Sequence, residues 1–91
     1  MTRQQHLLIA LMEECAEVQQ AASKVLRFGL DDKYKDQPTN QERLSTELTD
    51  LIAVCDMIVA DVVPDSITPT GITDKKKKVE QWLAYSQLKG Y

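Results

Sequence analysis

The sequence predicts an all-α protein, and two observations support this. Apolar residues recur at helical spacing in three separate segments of the chain, which has no repeats and no low-complexity sequence. Glycine and proline number three each among 91 residues, so turn-forming residues are scarce and a few long helices are favoured. We expect one domain over residues 1–91, built as a helical hairpin followed by a C-terminal helix.

The first predicted helix runs from about Thr2 to Phe28. Its apolar residues have the i, i+3/i+4, i+7 spacing of an amphipathic helix, and they are Leu7, Leu8, Leu11, Cys15, Val18, Ala22, Val25 and Leu26. Gly29 directly follows this helix and is the residue type that commonly ends one.

The second predicted helix begins at the segment Pro38-Thr39-Asn40. Glu42 stands three residues after Thr39, which is the spacing of a capping box. The apolar stripe then runs through Leu44, Leu48, Leu51, Cys55, Ile58 and Val62. Pro64 ends the helix.

The third predicted helix runs from about Asp74 to Lys89. One face carries Val79, Trp82, Leu83 and Ser86, and Gly90 closes the helix. The stripes of the first two helices are too long for this short helix to cover. We therefore expect chains to associate, as a homodimer or homotetramer, into a four-helix-bundle-type assembly.

Charge and cysteine content exclude several classes of function. Eleven Lys and Arg residues stand against fourteen Asp and Glu, for a net charge of -3 and a pI near 5.0, so the chain has no general attraction for nucleic-acid polymers or anionic membranes. Cys15 and Cys55 form no CxxC pair, and one histidine, His6, cannot complete a zinc site. Neither a signal peptide nor a membrane segment is predicted, so we expect a cytoplasmic protein with reduced thiols, in the host cytoplasm if it is viral.

Acidic residues recur at helical spacing on both long helices. Glu14 and Glu17 lie about 60° apart on neighbouring turns, as do Glu47 and Asp50, so each pair can direct two carboxylates at one point. Both pairs border the apolar stripes. Four converging carboxylates would suit Mg²⁺ or Mn²⁺, whereas a di-iron bundle would need Glu-x-x-His pairs. The alternative is that these glutamates are ordinary solvated helix surface.

The order of these motifs resembles a known family. The run Glu13-Glu14-Cys15-Ala16-Glu17, followed by Glu47-Leu48-Thr49-Asp50, is similar to the signature of the MazG-like all-α nucleoside triphosphate pyrophosphohydrolases, which include dimeric dUTPases, dCTP pyrophosphatases and phosphoribosyl-ATP pyrophosphatases. Small viral and bacterial members are closer still, through Ser23-Lys24, Arg27-Phe28-Gly29 and the tail segments Lys75–Val79 and Tyr85-Ser86. The similarity spans nearly the whole chain.

This resemblance implies a function and a set of site residues. The implied reaction is Mg²⁺-dependent hydrolysis of a nucleoside triphosphate to the monophosphate and pyrophosphate, with Mn²⁺ able to substitute. Glu14, Glu17, Glu47 and Asp50 match the family's magnesium ligands. The base that takes the proton of the attacking water is Glu17 or Glu13. Small viral members imply a guanine nucleotide, dGTP especially, as substrate.

Basic residues near these carboxylates are candidates for holding phosphate. Lys24 falls on the flank of Glu17, and Arg43 lies one turn before Glu47, where a simple surface ion pair is the alternative. The Lys75–Lys78 run falls in the first turns of the predicted third helix. Positive charges at the start of a helix are unfavourable next to its dipole, so a bound anion would stabilise them. Lys78 is the lysine that we expect to contact a substrate phosphate. The alternative is that the four lysines are simply solvated.

Base recognition and two competing functions stay open. Phe28, Tyr34, Trp82 and Tyr85 could each stack on a base, although a tryptophan at helical spacing also suits a core. One competing function is a pyrimidine-specific enzyme like a dUTPase or dCTPase. The other is a helical oligomerisation or regulatory module without catalysis, whose carboxylates are structural.

Overall fold

Three α-helices make up the chain in a computed structural model that describes residues 1–90. They are α1 (Arg3–Phe28), α2 (Asn40–Asp61) and α3 (Pro69–Leu88), and the described residues contain no strand. The predicted all-α class is therefore confirmed. None of these helices combines the length and the apolar character that crossing a membrane requires.

Side-chain caps fix where α1 and α2 begin. The Thr2 hydroxyl accepts from the Gln5 backbone N–H at 3.1 Å, and the Gln5 side chain accepts from the Thr2 N–H at 2.8 Å. Thr39 and Glu42 make the same reciprocal pair at the start of α2, which confirms the predicted capping box. Gly29 follows α1 with φ at 93°, in the left-handed region that favours glycine.

The start of α3 differs from the prediction. The helix begins at Pro69, five residues before Asp74, because the Thr68 hydroxyl accepts from the Gly71 N–H at 3.0 Å and caps the first turn. Proline is well suited to this first position, where no backbone donor is needed. The lysine run therefore starts at the seventh residue of α3, beyond the first turn, and the argument from the helix dipole does not hold for Lys78.

The hairpin of α1 and α2 holds the chain's small core. Positions turned toward the partner helix are spaced alternately four and three residues apart, as in a coiled-coil seam. On α1 they are Leu7, Leu11, Glu14, Val18, Ala21 and Val25; on α2 they are Asn40, Leu44, Glu47, Leu51, Val54 and Ile58. One acidic residue from each helix thus occupies a seam position within an otherwise mostly apolar row.

The third helix projects away from this hairpin. It packs against neither α1 nor α2, and the radius of gyration is 16.4 Å, whereas a compact domain of this length has one of about 12 Å. The apolar residues buried among the described ones are Leu7, Ala21 and Ile58. A single chain therefore leaves most of its apolar surface in water.

The exposed apolar residues form a second face on the hairpin. The wide apolar stripe predicted for α1 is divided, because one half faces α2 and the other faces solvent. The solvent-facing residues of the two helices include Leu8, Met12, Cys15, Leu48 and Ile52, and Ile52 is 60% exposed. On α3, Val79, Trp82 and Leu83 are exposed as well.

Candidate metal centre and phosphate-binding groove

Carboxylates from both helices of the hairpin meet at one point. One oxygen from each of Glu14, Glu47 and Asp50 can be chosen so that all three lie within 4.8 Å of one another. Glu14 and Glu47 are half-buried in the seam, and Asp50 lies at its solvent edge. The hairpin thus brings together three of the four residues that the sequence analysis assigned to magnesium.

Two of these carboxylates lack the partners that burial normally requires. Oε2 of Glu14 and Oε2 of Glu47 are shielded from solvent, and neither accepts a hydrogen bond from any group in the described part of the chain. A buried carboxylate oxygen is costly unless a donor or a cation compensates it. These two oxygens are therefore buried with free lone pairs, as metal ligands are.

The pKa values of the two seam glutamates respond to this crowding. Loss of solvation raises the pKa of Glu14 above its ordinary value, and the neighbouring charges of Glu17, Asp50 and Glu13 raise it further. For Glu47, the largest cause of its raised pKa is a hydrogen bond with the Glu17 carboxyl, which forms only when one of the two is protonated; desolvation and the surrounding charges add to it. A bound cation would favour the charged form of both carboxylates and so oppose the rise in their pKa values.

Glu17 and Glu13 stand in different relations to the three clustered carboxylates. Glu17 is exposed and lies outside the 4.8 Å group, but its carboxyl is close enough to influence both Glu14 and Glu47. Glu13 is exposed, is turned about 100° away from Glu14 around the helix, and affects Glu14 through its charge. Of the two predicted bases, Glu17 is therefore the one beside the cluster.

A groove with basic side chains begins next to the acidic cluster. Glu17 and Glu47 line it together with Lys24 and Arg43, and its volume is about 240 Å³. The Arg43–Glu47 ion pair is not formed. Within residues 1–90 the one ion pair joins Arg3 to Asp61. Lys24 and Arg43 therefore have no carboxylate bound to them, and both line the groove where an anion would enter.

A larger cavity continues from the same two basic residues. It measures about 370 Å³ and is lined by Lys24, Phe28, Asp32, Lys33, Tyr34, Gln37, Pro38, Asn40 and Arg43. Sequence reasoning did not find this cavity. Five of its nine lining residues belong to the connection between the helices, whose path depends on hydrogen bonds that no periodic pattern encodes.

Buried Asn40 holds this connection in place. It is 8% exposed, and its Nδ2 donates to the Gly29 carbonyl at 2.9 Å, while its backbone N–H donates to the Asp32 carbonyl at 2.9 Å. The Arg43 guanidinium adds a third link by donating to Gln37 Oε1 at 3.1 Å. The walls of the cavity are thus held by bonds within one hairpin.

The remaining candidate residues lie elsewhere in the chain. Lys78, Trp82 and Tyr85 belong to α3, which does not approach the hairpin. Trp82 and Tyr85 pack on each other edge to face with ring centroids 5.9 Å apart. Cys15 and Cys55 are both free thiols. In a single chain, the site groups brought together are thus those of α1, α2 and their connection.

Comparison of the chain with protein-family models, curated protein sequences and solved structures finds no match.

Proposed function

We propose that this protein is a Mg²⁺-dependent nucleoside triphosphate pyrophosphohydrolase, which releases a nucleoside monophosphate and pyrophosphate. The observation that carries the proposal is the pair of buried, unpartnered oxygens, Oε2 of Glu14 and Oε2 of Glu47, beside Asp50. The sequence resemblance to MazG-like pyrophosphohydrolases supports the same reaction.

The donor set fits a hard divalent cation. Glu14, Glu47 and Asp50 would hold the ion, with Glu17 as a fourth oxygen ligand or as the adjacent base; all are carboxylates, and no imidazole or thiolate takes part. Carboxylate oxygens are the ligands preferred by Mg²⁺ and tolerated by Mn²⁺. When bound, such an ion neutralises phosphate charge and makes water more acidic.

The basic groove supplies the complementary binding groups. Lys24 lies about 10 Å along α1 from Glu17, and Arg43 about 6 Å along α2 from Glu47, so the two cations follow the acids along the same groove. They would hold the α-phosphate in the groove beside Glu17, and the ion at the carboxylates would neutralise the β- and γ-phosphates, which leave together as pyrophosphate. The lysine and the guanidinium would thus stabilise the negative charge on the phosphoryl group that the water attacks.

Glu17 is our assignment for the general base. A water oxygen forms the new bond to the α-phosphorus, the bond from this phosphorus to the α,β-bridging oxygen breaks, and Glu17 accepts the proton of the water. Its exposed carboxyl beside Glu14 and Glu47 gives it access to solvent water. We expect Glu17→Gln to lower kcat far more than Glu13→Gln does.

We further propose that the active species is a homodimer or homotetramer. A second copy packed on the open face of the hairpin would bury Leu48, Ile52 and their neighbours, which are exposed in one chain. The large radius of gyration and the unsupported α3 favour the same conclusion, because so little core rarely stabilises a chain of this size alone.

Product identification tests the proposed reaction. The protein is incubated with each ribo- and deoxyribonucleoside triphosphate and either Mg²⁺ or Mn²⁺, and the phosphate products are separated. Monophosphate with pyrophosphate is expected, and the preferred base distinguishes guanine from pyrimidine specificity. Release of single phosphates, or no turnover of any nucleotide, would refute the proposal; the second result would favour a non-catalytic helical module.

Matched glutamate variants connect the activity to the cluster. Glu14→Gln and Glu47→Gln keep the side-chain shape and remove a charged ligand, so both should abolish turnover without loss of helix content. Glu80→Gln makes the same change on exposed α3 and should leave the rate unchanged. Full activity in both seam variants would show that the metal-ligand assignment is wrong.

A further inference from the structure

We infer that the cavity at the connection between α1 and α2 is a nucleobase subsite, and that it sets which base the enzyme accepts. The inference rests on the proposed function, since it places the rest of the nucleotide next to the phosphate-binding groove. It concerns residues outside the acidic cluster, chiefly Phe28, Tyr34 and the polar groups beside them.

Position along the hairpin is the first argument. On α1, Glu14, Glu17, Ala21, Lys24 and Phe28 follow one another at alternating spacings of three and four residues, which places them in one row along the helix. On α2, Asp50, Glu47, Arg43 and Asn40 form the opposing row. The two rows lead from carboxylates to cations and then to the aromatic cavity.

Shared lining residues make the groove and the cavity continuous. Lys24 and Arg43 border both the 240 Å³ groove beside the glutamates and the 370 Å³ cavity at the connection. A nucleotide whose α-phosphate contacts these two cations therefore has its sugar and base at the mouth of the cavity. The volume falls within the range of small-molecule sites.

The chemistry of the lining fits a flat, hydrogen-bonding ring. Phe28 and Tyr34 line the cavity although they are 56% and 68% exposed, so each presents aromatic surface that a stacked base would cover. Arg27 lies 5.0 Å from the Phe28 centroid and Lys35 5.2 Å from the Tyr34 centroid. Neither cation is among the residues that line the cavity.

Polar groups in the same wall can read the edge of a base. The Asp32 carboxylate accepts hydrogen bonds, Lys33 donates them, and the Gln37 amide can do both. Nucleobases differ in the order of donors and acceptors along their edges. The connecting segment thus combines a stacking surface with groups able to discriminate, and it is held by the bonds of Asn40 and Arg43.

The test compares ligands that differ only in the base. Amide resonances of the ¹⁵N-labelled protein with Mg²⁺ are followed while each of the four deoxynucleoside monophosphates, or 2-deoxyribose 5-phosphate, is added. At least one nucleotide should shift the resonances of Phe28, Tyr34 and Gln37, and the base-free sugar phosphate should not. If no nucleotide shifts them, or if the sugar phosphate shifts them equally, the inference is overturned.

Kinetics of a ring deletion provide a second readout. Tyr34→Ala should raise KM for the preferred triphosphate about tenfold with little change in kcat, since stacking on an aromatic side chain is commonly worth this much. Leu30→Ala, in the same connection but outside the cavity lining, is the control and should behave as the wild type. An unchanged KM in Tyr34→Ala would contradict the subsite.

These outcomes separate the inference from the proposed function. Shifts of Glu14 and Glu47 with phosphate ligands, together with pyrophosphate release, would support the reaction whatever happens at the cavity. Shifts of Phe28 and Tyr34 with a nucleotide, but without any turnover, would support a nucleotide-binding cavity and refute the reaction.

Discussion

The buried amide of Asn40 allows a quantitative test of how the connection is held. Asn40→Ala removes the donor that reaches the Gly29 carbonyl at 2.9 Å at a position 8% exposed. Leaving a partly buried carbonyl without its partner costs about 1–3 kcal/mol, and the higher helix propensity of alanine returns about 0.5 kcal/mol. We expect a net loss of about 0.5–2.5 kcal/mol in the free energy of unfolding.

Denaturant and thermal unfolding, followed by helical circular dichroism at a fixed protein concentration, would measure this loss. In a domain of this size it corresponds to a fall in Tm of roughly 4–8 °C per kcal/mol. Asn40→Asp retains the side-chain shape but cannot donate when ionised, so it should be destabilised too. Gln41→Ala, at the exposed next position, is the control.

Two results would refute this reasoning. If Asn40→Asp keeps the stability of the wild type, the donated hydrogen bond does not stabilise the fold. If Gln41→Ala loses as much stability as Asn40→Ala, the effect belongs to the start of α2 in general. Nucleotide binding should weaken in Asn40→Ala, because the cavity loses the bond that holds its wall.

Three further predictions concern charge and assembly. The pKa values of Glu14 and Glu47 are raised in the folded chain, so the folded state holds more protons than the unfolded state just above about pH 4.5. Without divalent cations, these two groups should therefore make the free energy of unfolding fall as the pH rises through this window. A Glu14→Gln/Glu47→Gln double variant should lose this dependence on pH. Arg3→Ala breaks the exposed 2.7 Å pair with Asp61 and should cost no more than about 1 kcal/mol, with less effect at high salt. Ile52→Glu should reduce the assembly to smaller species in sedimentation velocity while α1 and α2 stay helical, and an unchanged size would exclude that face as the interface.

Sequence patterns predicted the hairpin well because its determinants are local. The Thr39–Glu42 capping box and the stop at Gly29 act within a few residues, so both could be located without a structure. The start of α3 was misplaced because periodicity began only near Val79. Thr68-Pro69, a side-chain cap followed by proline, was the signal that would have corrected it.

The site could be predicted in part for the same reason. Spacing on one helix pairs Glu47 with Asp50, but it does not say how far Glu14 enters the seam. The wheel put Glu14 beside the apolar stripe, whereas the hairpin has it in the row between Leu11 and Val18. Burial of one oxygen without a partner is a tertiary property, set by how the two helices meet.

The paired seam glutamates also bear on how the hairpin finds its correct alignment. An apolar seam with a regular repeat tolerates sliding by one turn, because each new pairing buries similar side chains. Sliding α2 by one turn would change which residues lie opposite Glu47 and Asp50, and it would alter the native cluster that these two form with Glu14. A cation bound between the glutamates would therefore favour a single register, so that the centre proposed for catalysis also selects the native pairing of the helices during folding.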